Sequence, residues 1–425
     1  MSLPSSLSYN ALKLKRNWIV LLIALLVETS LGVAADADWP QWGGPHRNFI
    51  IDSGHLANSW PSEGPPRLWE RDLGDGYSGI AVQSGRLYTM FHRRKQEVVV
   101  SLDASNGKTI WEYPYEVTYL DEMNMDTGPG PHSTPLIVGS FLFTTGTTGL
   151  LHCLDIKSGQ LVWSRDLFRE FGGTVLARGY SSSPIAYQQT VIVTTGGQGR
   201  ALVAFNQKDG SVVWQKQDFL NSHSSPTLIK FRDQDQLVGF MAKMIVGINP
   251  TNGDLLWNVP HDLGGDFIVF TPLWSEENLL FFSSAYGGGS RVLQLSRNDG
   301  KTATKELWFN NKMRIHHGNA IRVGNLIFGS SGDFGPAFMT AIEVETGKII
   351  WQDRSFAKSM LLYADGKFIL LDEEGTLALV QMDNQGLKTV SRVEVLKSKS
   401  RTPPSLVETK LYLRDRKSVM ALDLK

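Results

Sequence analysis

The sequence implies an all-β chain folded as an eight-bladed propeller of four-stranded blades, its ring closed by an N-terminal strand pairing with C-terminal ones. Three features carry this expectation: a recurring ten-residue motif, a tryptophan spaced with it, and an unfinished unit at each end of the repeat array. The motif is clearest as LDASNGKTIW at residues 102–111. Column-matched copies read LDIKSGQLVW at 154–163, FNQKDGSVVW at 205–214, INPTNGDLLW at 248–257 and IEVETGKIIW at 342–351. A further copy, LSRNDGKTATKELW at 295–308, carries a four-residue insertion between its glycine and its tryptophan.

Each copy reads as a β-hairpin. An apolar residue ends one strand, Asp or Asn follows, a turn containing Gly reverses the chain, and alternating residues lead to Trp. Asp103 and Asp155 can accept hydrogen bonds from turn amides, and Gly107 and its counterparts can adopt positive φ without a Cβ clash. A tryptophan brings roughly 150–250 Å² of surface to bury, an upper bound of about 4–6 kcal/mol. One hairpin cannot shelter that ring alone, so Trp69, Trp111, Trp163, Trp214, Trp257, Trp308 and Trp351 are expected to dock each blade on the next.

Those tryptophans recur at intervals of 42 to 52 residues, and an eighth slot near Val393 lacks Trp. Apolar strand pairs joined by short turns give an independent count of eight, the first at residues 87–103 and the last at 411–423. Each unit therefore offers an inner strand, a central pair and an outer Trp strand. The last unit stops where its outer strand is due, while the strand around Trp69 has no preceding three. Joined, they make one blade and remove the open edges of an unclosed array.

Three segments follow: residues 1–35, 36–65 and 66–425. In the first, Lys13, Lys15 and Arg16 flank a ten-residue apolar run at 18–27, and small residues precede Ala35, as in a secretory signal peptide. Glu28 interrupts that run before the roughly 20 residues a membrane span needs, which makes an uncleaved anchor the lesser alternative. No cysteine lies near the cleavage region to accept a lipid. The second segment opens DWPQWGGPHRNF, and Trp39, Trp42, Phe49 and Trp60 are too apolar for a linker, so it is expected to pack on the body. The third is the propeller.

With 42 basic and 42 acidic residues the chain has no net field to attract nucleic acid. Its single cysteine, Cys153, excludes an intrachain disulfide framework and reads as a buried small hydrophobe. Gly107-Lys108-Thr109 and Gly300-Lys301-Thr302 mimic the end of a P-loop but occupy hairpin turns. Gly196-Gly197-Gln198-Gly199 and Gly287-Gly288-Gly289 lie between strands without the helix that phosphate binding requires. No GxSxG or HExxH is present. Lys397, Lys399 and Arg401 form a basic run, read as a solvated loop, with an acidic partner as the alternative.

The repeat resembles the ALD-x-x-TG-x-x-x-W motif of PQQ-like eight-bladed propeller proteins, a family that includes quinoprotein alcohol dehydrogenases and the outer-membrane assembly factor BamB. The resemblance covers about residues 66–425. For a quinoprotein it implies a PQQ ring clamped by a Trp and a disulfide of adjacent cysteines, calcium on carboxylate and amide ligands, and an Asp base. One cysteine cannot form that disulfide, and there is no CxxCH for haem. No catalytic residue, metal or cofactor is therefore expected. PQQ with calcium belongs only to an oxidoreductase alternative.

A second repeat marks the start of the inner strands: HSTP at 132–135, SSSP at 181–184, HSSP at 223–226, HGNA at 317–320 and RTPP at 401–404. Together these place His132, His223, Arg314, His316, His317, Asn319 and Arg401 at the mouth of the central channel as a candidate ligand site, although a water-filled channel needs no ligand. The expected protein is thus a monomer exported to a bacterial periplasm or secreted, and it presents its channel face to a protein partner as a non-catalytic, BamB-like scaffold. A carbohydrate-binding propeller using the leader aromatics is the remaining alternative.

Overall fold

The computed structural model describes residues 38–53, 55–261, 267–333 and 335–425. The segment read as a signal peptide lies outside the described residues. The rest of the chain forms eight antiparallel sheets and no α-helix among the described residues. Blades 1 to 6 follow the chain at residues 81–116, 136–166, 185–216, 227–260, 273–310 and 315–353. Blade 7 spans 359–394, and Ile50–Ile51 adds to it in parallel as a fifth strand.

Blade 8 is built from both ends of the chain. Ser405–Val407, Lys410–Arg414 and Ser418–Asp423 supply three strands and Arg67–Asp72 the fourth, with Arg67 opposite Leu422 and Trp69 opposite Ala421. The closure is reinforced from within. The buried Arg414 guanidinium donates to the carbonyls of Gly76, Ser78 and Met90 and to Thr89 Oγ1 at 2.8–3.3 Å, tying blade 8 to blade 1.

The hairpin motif explains how neighbouring blades hold together. In blade 1, Asp103 Oδ1 accepts from the Ser105 amide at 2.8 Å and Gly107 sits at φ 72°. That glycine faces the ring of Trp69, only 2.6 Å from where a Cβ would stand. The Trp69 indole N–H also donates to Ala104 O at 2.9 Å, and Trp111, Trp163, Trp214, Trp308 and Trp351 make the same kind of bond to a carbonyl of the next turn at 2.7–3.2 Å.

Trp257 departs from the pattern. Its N–H goes to Gln236 Oε1 of its own blade at 2.7 Å, and Gln236 Nε2 donates onward to Thr302 Oγ1 of blade 5 at 2.8 Å. The insertion in blade 5 is the reason: its ladder continues to Asn298 opposite Lys301 and closes on Asp299 and Gly300, both at positive φ as in a tight primed turn. The open turn that receives the other indoles is gone. Val393 has a related explanation. Blade 8 has no turn between its third and fourth strands, because they come from opposite ends, and Gly64 of the leader packs against Val393 instead.

Residues 38–65 do more than cover one blade. Trp39 exchanges two backbone hydrogen bonds with Val82 of blade 1, and Pro40 O accepts from the Ile137 amide of blade 2. Arg47 donates to Pro184 O of blade 3 at 3.2 Å and to Pro226 O of blade 4 at 2.8 Å, and Trp42 Nε1 donates to Thr271 Oγ1 before blade 5 at 3.0 Å. With Ile50 beside Tyr363 of blade 7, the segment reaches the inner rims of six blades. It crosses one end of the central channel.

Candidate functional site

Because the leader crosses one end, the channel is a pocket open at the other, with a volume of about 700 Å³. Trp42 of the leader lies in its wall. A single sequence column supplies much of the remainder: Tyr77, His132, Ser181, His223, Val269 and Arg401 each stand four residues before the first residue of an inner strand, and all six line the pocket.

Of the seven residues expected at the mouth, the pocket brings together His132, His223, His316, His317 and Arg401. His132 stacks on Tyr77 with centroids 5.8 Å apart, and the Arg401 guanidinium lies 5.6 Å over the other partner of that stack, Tyr77. His223 Nδ1 is hydrogen-bonded to Ser181 Oγ at 2.7 Å, while its buried Nε2 has no partner among the described residues. Arg314 is held by Asp333 at 3.0 Å. Asn319 does not face the pocket: its amide bonds both the carbonyl and the N–H of Leu361 at 2.8 Å, stitching blade 6 to blade 7.

His316 and His317 reach the pocket through an irregularity. The inner strand of blade 6 loses register between Ile315 and Ala320, which leaves residues 316–319 off the ladder. They belong to a chain of contacts. Tyr286 OH meets His316 Nε2 at 2.8 Å, His316 Nδ1 meets His317 Nδ1 at 2.9 Å, and His317 Nε2 stands 3.6 Å from Glu373 Oε2. With both rings neutral, one proton order fits: Tyr286 donates to His316, His316 to His317, and the His317 N–H faces the carboxylate. The reverse order would aim a ring lone pair at Glu373.

Neutral rings are what burial enforces. Burial lowers His132 to about 3 and His223 and His316 to about 4, and it holds His317 well below the usual imidazole range, with nearby cations adding to each effect. The charge of the pocket therefore comes from its other groups. Arg178, Lys358 and Arg401 line it without pairing to a carboxylate among the described residues, whereas Asp333 is matched by Arg314 and Glu373 faces His317. Among the described residues the surplus is positive. Aromatic wall is supplied by Tyr77, Phe267 and Tyr286.

Sequence reasoning passed over Tyr77, Arg178, Phe267, Tyr286, Asp333 and Glu373. Tyr77 shares its column with His132 and His223, so extending that column back to blade 1 would have found it. The others lie in loops whose spacing carries no repeat.

A family model described as outer membrane protein assembly factor BamB matches residues 95–353. The chain belongs to this PQQ-like propeller family. It is similar to BamB of Shewanella oneidensis, 23% identical over 293 residues that cover 66% of this chain and 71% of the relative. It is also similar to the dehydrogenase subunit of a quinone alcohol dehydrogenase from Gluconobacter oxydans, 27% identical over 33% of this chain but only 17% of that subunit. Among solved structures, quinohemoprotein alcohol dehydrogenase from Comamonas testosteroni matches with a TM-score of 0.65 at 12% identity, over 91% of this chain and 80% of that one. BamB from Moraxella catarrhalis matches with a TM-score of 0.58 at 15% identity, over 84% and 99%. These two likenesses speak for the fold.

Dehydrogenase relatives raise the question of PQQ. The residues present do not build the holder that the resemblance implies. Cys153 is fully buried in the third strand of blade 2, where burial pushes its thiol up to about 12, so no pair of adjacent cysteines can clamp a ring. The pocket carboxylates Asp333 and Glu373 are engaged separately, and no group of three or more His, Cys, Asp or Glu among the described residues could hold a metal ion. The histidines likewise stand apart, in two pairings with Tyr77 and Ser181 and one pair with each other.

Proposed function

We propose that this propeller works in the bacterial envelope by binding, as a BamB-like scaffold that presents its channel mouth to a protein partner. One observation carries the reading: the mouth is lined by an uncompensated positive surface, its one hydroxyl–imidazole pair, Ser181 with His223, has no third group orienting the ring, and no metal-ligand set is present among the described residues. The family match supports it, as does the relative named for outer membrane assembly. Export rests on the signal-peptide pattern of residues 1–35. No described helix is long and apolar enough to cross a membrane. The carbohydrate reading has little platform, because Trp39, Phe49 and Trp60 are buried in the core.

Two measurements test this proposal together. Titration of the purified protein with PQQ and calcium is expected to show no stoichiometric uptake and no dye reduction with alcohols or sugars. A photo-crosslinking residue at Lys397 on the rim is expected to capture a discrete envelope protein, while one at Lys208 in a blade 3 turn does not. Tight PQQ uptake with dye reduction would overturn the scaffold reading in favour of a quinoprotein oxidoreductase.

A further inference from the structure

The central pocket does not end at its own rim. A second cavity of about 450 Å³ shares Tyr77, Thr127 and Arg401 with it and continues over Lys397, Lys399, Arg416 and Lys417. Some of that charge is answered: Lys399 pairs with Glu374, Lys397 with Glu70, and Arg416 and Lys417 with Asp75. Counting Arg401, five cations face three carboxylates here, and Arg178 and Lys358 add to the excess further in. Two buried polar atoms on this path lack partners among the described residues, Arg401 Nε and His223 Nε2, and His223 is 7% exposed.

From this geometry we infer that the joined cavities form a docking groove for an acidic peptide tail of a partner protein, whose carboxylates follow the basic rim while an apolar end enters the blind channel. The inference rests on the binding reading above and gives it a partner chemistry. Three features favour a tail over a compact small molecule. Cations are strung from the rim to the interior rather than gathered at one point. Both cavities together exceed the space one small ligand fills. The leader closes the far end, so a chain can enter but not thread through. Inside, Tyr77, Phe267 and Tyr286 offer an aromatic wall to an apolar terminal side chain, and Arg401 Nε and the His223 ring nitrogen offer unclaimed polar contacts to its carboxylate.

The test uses the full-length protein and a fluorescein-labelled oligoglutamate peptide ending in phenylalanine with a free carboxylate, followed by fluorescence anisotropy. Binding is expected to be saturable, to weaken as salt rises, and to be lost with an oligoglutamine peptide of the same length. Arg401→Gln is expected to weaken it roughly tenfold, about 1.4 kcal/mol. The exposed-rim double variant Lys397→Gln, Lys399→Gln, which leaves the core untouched, is expected to weaken it and flatten the salt dependence; thermal unfolding of each variant checks that the ring stays folded. Equal binding of the glutamine peptide, or full affinity in both folded variants, would overturn the inference. So would binding of free benzoate in the channel that the peptide cannot displace, which would assign the pocket to a small carboxylate. If the peptide fails while crosslinks from Lys397 persist, the acidic tail is wrong and the scaffold reading stands.

Discussion

At the scale of single residues, the pocket is held by imidazoles that the fold keeps uncharged. Their folded pKa values lie below the ordinary value near 6.5, so the unfolded chain binds more protons than the folded one as pH falls through that range. The stability they allow is present above about 6.5 and drains away toward 4, where His223 and His316 titrate in the folded state. Denaturant midpoints measured across that window are expected to fall steadily with acid, and His223→Gln is expected to flatten the slope. Arg414 gives a second test. It donates to three carbonyls at the seam of the ring, and Arg414→Met, which removes a donor from each of them, is expected to cost about 3 kcal/mol in chemical unfolding.

Among elements, the hairpin turn is where sequence and structure correspond most closely. Gly107 needs both its positive φ and its lack of a side chain, since Trp69 occupies the space a Cβ would take, whereas Gly300 has a similar φ with nothing within 4 Å. Gly107→Ala is therefore expected to destabilise by clearly more than Gly300→Ala, the former by more than about 1 kcal/mol, with thermal midpoints as the readout. Blade count and turn positions were legible because each copy repeats the same demand in the same column. Trp257 was legible only as a buried ring: its acceptor changed because an insertion elsewhere, in blade 5, removed the usual turn. Asn319 shows a different limit. Its HGNA motif placed it at the mouth, but the side chain satisfies the backbone of the next blade, and a pattern of polar residues cannot distinguish a ligand contact from a stitch.

Across the whole molecule, the leader decides what the channel is. Its aromatic content showed that it had to be buried somewhere, yet nothing in its non-repetitive sequence revealed that it touches six inner rims and turns a passage into a pocket. The charge of that pocket was equally hidden, because Arg178, Lys358, Asp333 and Glu373 come from loops outside the repeat. The central claim is that ring and leader form one vessel with a single mouth. Native-state hydrogen exchange of the Trp39 and Val82 amides, which bond each other's residue across leader and blade 1, tests it most directly. Both amides are expected to stay protected as long as the strands of blade 1; rapid exchange at Trp39 while those strands remain protected would show the channel open at both ends and contradict the account.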